Sequence, residues 1–345
     1  MRGVNQRVQG VLLLAVTGAL WGFNGLYVQV LAQLGLSSLS IVFVRYLCAL
    51  MMLAPVVSAA SAHATRNVLA LRPQHLACCV GLGLVSNALG SVLSAYAIAE
   101  VGVSITTVLL YTAPVFGCLM SWRLFGEHLT RNKLAAIACN FAGVVLVVAG
   151  GGLLGPDAGG GGLAAGLGYG LTYALTAVFS RPIAGKCHPL AVVYYCSLTA
   201  VAALALPALG TGDLALVLQP AGVLASLAYG GISTVAANVL YQRGLSMGVE
   251  TSRVAVITSV EVAVSAFVGT VVFGEALSVG KVVGIGCVLG SIVLMNAHAK
   301  PGEVHGVRMF PMPFELHKAF VQGDGLAAAT NDVNVRRERF LVGER

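Results

Sequence analysis

The chain is 345 residues long, 57% apolar and 10% charged, with a mean hydropathy of +0.88. A soluble domain carries about 25% charged residues, so this composition excludes a water-soluble globular protein and leaves a polytopic membrane protein. The net charge of +7 does not point to nucleic acid: residues 1–300 hold 14 Lys and Arg against 7 Asp and Glu, mostly in loops between apolar runs, and residues 301–345 hold six against six.

Residues 1–9 are polar, with Arg2 and Arg7, and read as a short cytoplasmic N-terminus. The apolar run at 10–32 exceeds the apolar core of a signal peptide and no small-x-small cleavage site closes it, so it is read as a retained first membrane helix. Further runs cover 39–60, 74–99, 104–125 and 134–155. After a glycine-rich joint at 156–161 come 162–184, 189–209, 221–245, 253–273 and 279–299. Each is near the roughly 20 residues that cross a bilayer as a helix. The predicted fold is therefore an all-α polytopic membrane protein of ten transmembrane helices. Residues 300–345 mix charges, hold no 20-residue apolar run and read as a mobile cytoplasmic tail.

The chain repeats itself. Tyr111 to Thr130 aligns with Ser259 to Ser278, 148 residues later, placing Phe125-Gly126-Glu127 over Phe273-Gly274-Glu275. The repeats are expected at 10–155 and 162–299, five helices in each, and an odd number of spans forces the second copy to enter the membrane inverted. Lys and Arg give the orientation: twelve flank one alternating set of loops and only Lys281 flanks the other, which puts both termini in the cytoplasm.

The eight cysteines form no Cys-x-x-Cys, and no histidine is spaced to complete a metal site, so they read as packing residues and no metal or cofactor is expected. Glu127-His128 is not a zinc-binding His-Glu-x-x-His helix, since the second copy has Ala276 where His128 stands. The glycine-rich joint lacks the strand and the Lys-Ser/Thr of a phosphate loop.

The motifs, in their order and duplication, resemble the drug/metabolite transporter superfamily and its EamA branch. They are Trp21-Gly22, Arg45, Ala113-Pro114-Val115, Phe125-Gly126-Glu127, Tyr241-Gln242-Arg243, Glu261 and Gly274-Glu275, spread over residues 10–299. The resemblance implies two inverted five-helix repeats and a substrate cavity lined by the first four helices of each. Similar members carry proline where Val262 stands, so the ninth helix is expected to run straighter than the fourth, which has Pro114.

Glu261 is the sharpest candidate for transport. Eight residues beyond Arg253, it sits deep in the hydrocarbon layer, where a charge is costly and must face a cavity or a partner. It reads as a site for a substrate amine or a proton, or as a structural ion pair. Arg45 reads as a snorkelling side chain or as a contact for a substrate carboxylate, and the two charges together would suit an amino acid. Tyr169 and Tyr173, one helical turn apart, are candidate cavity lining, as are Asn24 and Tyr111, with interhelical hydrogen bonding the competing role. Trp21 is either cavity wall or a place of close helix packing beside Gly22 and Gly25. Pro114, Glu127 and Glu275 are structural or gating candidates, each glutamate expected to bind free amides at the start of the helix that follows it. Small-residue spacing at Gly280, Gly284, Gly286 and Gly290 fits packing within the monomer, with a homodimer contact through the tenth helix as the alternative.

These readings converge on an inner-membrane secondary transporter, an exporter of small polar or amphipathic metabolites such as amino acids, that works by alternating access and is not an enzyme. Its partners would be that small-molecule substrate and the lipid bilayer, with no nucleic acid. The competing class is a membrane enzyme of the lipid or isoprenoid transferase type. Such an enzyme needs clustered acids at a membrane surface, and only Asp157 and Asp213 occur as aspartates before residue 300, in separate loops.

Overall fold

The computed structural model describes residues 2–63, 68–113, 115–117, 119–120, 131–150, 160–180, 183, 186–247 and 257–296. Every described element is helical. In chain order they are α1 (Arg2–Gly22), α2 (Asn24–Gln33), α3 (Ser38–His63), α4 (Pro73–Leu82), α5 (Ser91–Val101), α6 (Val103–Leu110), α7 (Arg131–Gly150), α8 (Gly160–Ser180), α9 (Pro189–Gly210), α10 (Pro220–Ala228), α11 (Ala237–Ser246), α12 (Val260–Phe273) and α13 (Val279–Asn296). Helices α4, α9 and α10 begin on a proline after an extended residue, where the missing N–H costs nothing and the fixed φ favours the first turn.

Among the described residues, five helical runs are long and apolar enough to cross a membrane: Val8–Gln33, Ser38–Ala62, Pro73–Val101, Pro189–Gly210 and Pro220–Gly244. The outer surface is apolar as well, with Leu206 82% exposed and Val279 80% exposed. Such a surface suits lipid and is untenable in water.

Two of the long runs contain a π-helical segment of eight residues, Gly83–Gly90 between α4 and α5 and Tyr229–Ala236 between α10 and α11. They occupy matching places in the two halves of the sequence. A π turn is wide and spends carbonyls poorly, so side chains complete it: the Thr234 hydroxyl donates to the Tyr229 carbonyl at 3.3 Å, and Asn238 Nδ2 donates to the Thr234 carbonyl at 2.7 Å.

Helices from the two halves pack against one another antiparallel. Along α7 and α13, Cys139 meets Cys287, Asn140 meets Ser291 and Gly150 meets Ser278. A Cβ on Gly143 would stand 2.7 Å from the Gly284 carbonyl and one on Gly284 would stand 2.6 Å from that of Gly143, so only glycine allows this crossing. The α6–α12 pair runs the same way, Val103 lying against Glu275 at one end and Tyr111 against Thr258 at the other. Gly280 and Gly284 thus pack within the monomer, whereas Gly286 and Gly290 face open space.

The helical run that carries Val262 is not the straight helix expected of it. It turns at Ser259, where the Val262 amide reaches back only three residues to the Ser259 carbonyl at 2.9 Å. The aligned point of the first repeat turns too, at Tyr111 and Thr112, through three-residue bonds to Val108 and Leu109. Proline is therefore not needed for the second break. Polar side chains from other helices hold the freed carbonyls, Tyr111 the one at Thr258 and Asn140 the one at Tyr111. The first span breaks at Phe23, between α1 and α2.

Candidate functional site

The three breaks converge. Trp21, Gly22, Asn24 and Gly25 from the first, Leu110 from the second and Glu261 from the third line one narrow cavity. Its free volume is about 20 Å³, little more than one water needs. Glu261, the second residue of α12, is 7% exposed. The Tyr111 hydroxyl lies 3.3 Å from the Thr258 carbonyl and within hydrogen-bonding reach of the Glu261 carboxyl. Close approach of α1 makes this possible: a Cβ on Gly18 would stand 2.5 Å from the Thr258 carbonyl.

Thr106, Thr107, Ser94 and Tyr169 complete the polar lining. The Thr106 and Thr107 hydroxyls donate to the carbonyls of Gly102 and Val103 at 2.8 and 2.9 Å, leaving their lone pairs free. Asn24 Oδ1 is buried without a hydrogen-bond partner. The Trp21 ring stands 5.3 Å from that of Tyr241, tilted by 40°.

Arg45, on α3, turns inward. Its Nε donates to Thr234 Oγ1 at 2.8 Å and its Nη1 to the Tyr229 hydroxyl at 3.0 Å, and its guanidinium lies over the rings of Tyr229 and Tyr46 at 4.4 and 5.1 Å. Arg45 does not line the cavity, but it interacts electrostatically with Glu261. Tyr169 lines the cavity and interacts electrostatically with both. Tyr173, one turn on, is 38% exposed and within electrostatic range of Glu261, Tyr169 and Tyr241.

Two carboxylates at helix ends join the halves. Asp213, after α9, accepts from the Ser37 amide at 2.6 Å, from the Thr211 hydroxyl at 2.7 Å and from the Ser40 hydroxyl. Burial pushes this carboxyl up, but those hydrogen bonds outweigh it and hold the pKa at about 2, below the ordinary 3.8. Glu275 accepts from the Val103 amide at 2.7 Å and pairs with the buried Lys281 at 3.6 Å. The helix start it binds is α6 of the other half, not the α13 that follows it. Pro114 and Glu127 lie outside the described residues.

Sequence reasoning did not find Ser94, Thr106 and Thr107 in the cavity, or Tyr229 and Thr234 as the partners of Arg45. The Thr106–Thr107 pair in an otherwise apolar run was the available signal. Nothing local links Arg45 to residues 184 and 189 positions away.

No curated protein matches the chain. One solved crystal structure covers 83% of this chain and 95% of its own at 18% identity, with a TM-score of 0.57, a likeness of fold alone. The EamA-like transporter family profile matches residues 8–149 and again residues 160–297, two copies spanning most of the sequence. With its apolar helices and duplicated pattern, this chain belongs to the EamA-like transporter family.

Proposed function

We propose that the protein is a secondary transporter that exports small polar or amphipathic metabolites across the inner membrane by alternating access, with ten spans, both termini cytoplasmic and the two halves inverted. The observation that carries this reading is the cavity where three interrupted helices meet around a buried carboxylate, walled by elements of both halves. Interrupted helices at a repeat interface expose backbone and side-chain polar groups where a continuous helix has none. The antiparallel pairs α7–α13 and α6–α12 support inversion, because each matches a helix with its own repeat.

The Lys and Arg distribution assigns the ends carrying Asp213 and Glu275 to the outer side. Their contacts with Ser37, Ser40 and Val103 tie the second half to the first there. Opening outward requires these ties to part while the cavity widens. No Walker motif is found in the sequence, so an ion gradient or the substrate's own gradient drives the cycle.

The test is to load proteoliposomes with a pool of low-molecular-mass cell metabolites and follow efflux by mass spectrometry. Export predicts that a subset leaves faster than from protein-free vesicles. Identical efflux for every compound contradicts it.

A further inference from the structure

Glu261 is the one charged side chain among the described residues lining the cavity, and its surroundings decide what it can bind. Thr106 and Thr107 have committed their protons to backbone carbonyls and present only oxygen lone pairs. Asn24 Oδ1 is a buried acceptor lacking a donor. Trp21 and Tyr169 bring aromatic rings to the lining, and the donors that they and Ser94 bring are neutral. Arg45, the charge that might have received a carboxylate, gives its Nε to Thr234 and its Nη1 to Tyr229, acts on Glu261 electrostatically and is not among the residues lining the cavity.

We infer that the transported species is a small organic cation, a primary ammonium on an aromatic or apolar body, with no carboxylate of its own. This rests on the transporter reading above and narrows it. The ammonium has three N–H donors for Glu261, Asn24 Oδ1 and the threonine oxygens, and the body lies against Trp21 and Tyr169. A zwitterion of the same body would bring its carboxylate among acceptors with no cationic side chain in the cavity lining, a desolvation cost that selects against it.

Three probes of one body separate the charges: tyramine, a cation; tyrosine, a zwitterion; and 4-hydroxyphenylacetate, an anion. In proteoliposome counterflow corrected for protein-free vesicles, tyramine is expected to exceed both others by roughly tenfold or more. Glu261→Gln should remove that preference, and Asn24→Leu, which keeps the charge, should lower tyramine affinity several-fold. If Glu261→Gln does not elute as a monodisperse protein, the ranking in the unsubstituted protein and the effect of Asn24→Leu decide. Tyrosine carried as well as tyramine, or a tyramine preference that survives Glu261→Gln, overturns the inference and leaves the transporter reading standing. So does failure to move any of the three while other metabolites of the pool are exported. Failure to move any compound at all overturns both.

Discussion

The Tyr111 hydroxyl, at the break that ends α6, donates to the Thr258 carbonyl, at the break that precedes α12, across 3.3 Å. Each residue belongs to a different half, so this one bond joins the two interruptions that frame the cavity. Tyr111→Phe leaves the Thr258 carbonyl without that donor and removes the hydroxyl beside Glu261. Loss of one buried hydrogen bond costs about 1 kcal/mol. The expected outcome is a thermal midpoint lower by a few degrees and a weaker apparent substrate affinity, read by scanning fluorimetry and counterflow on the same preparation.

Gly102 has φ +86° between α5 and α6, and a Cβ there would stand 2.8 Å from the Glu275 carboxylate that holds the Val103 amide. Gly102→Ala combines backbone strain of about 1–3 kcal/mol with displacement of Glu275. Stability should fall measurably in Gly102→Ala. Gly286→Ala, on a helix surface where a Cβ meets nothing within 4 Å, should be unchanged or slightly stabilised.

Asp213, held at about pKa 2 against the ordinary 3.8, stabilises the folded protein fully above about pH 4. A group with a depressed folded pKa loses its contribution as pH falls, here between about 4 and 2. Thermal midpoints of the unsubstituted protein should therefore drop faster over that window than those of Asp213→Asn. Asp213→Asn should also raise labelling of cysteines placed behind the start of α3 and the end of α9 at neutral pH, because the tie to Ser37 and Ser40 is weakened.

Arg45 makes two hydrogen bonds to Thr234 and Tyr229 and stacks on two rings. Arg45→Ala should cost about 2–4 kcal/mol, from lost charge-assisted bonds and the hole left behind. Arg45→Lys keeps the charge but not the planar fork, and should recover less than half of that loss in a thermal scan.

Hydropathy is a good guide to the longest apolar runs, which have few alternatives in lipid: 74–99 is expected and Pro73–Val101 is found. It missed the interruptions. A three-residue bond at Ser259 or a π turn at Gly83 alters one or two hydrogen bonds without changing composition, so a window average is blind to it. Glu261 stood out in sequence because an acid in an apolar run is costly wherever it sits. The partners of Arg45 and Glu275 did not, because they come from the other half. Glu275 reaches 172 positions back to Val103, whereas a local rule assigned it to its own next helix.

The central claim is that the two halves are inverted around the cavity, and it is tested most directly on equivalent loops, each following the first span of its half. In a cysteine-free background, Gln33→Cys and Lys186→Cys are treated with a membrane-impermeant maleimide on intact cells and after permeabilisation. Inversion predicts that Gln33→Cys labels in intact cells and Lys186→Cys only once the membrane is opened. Labelling of both from the same side would contradict it.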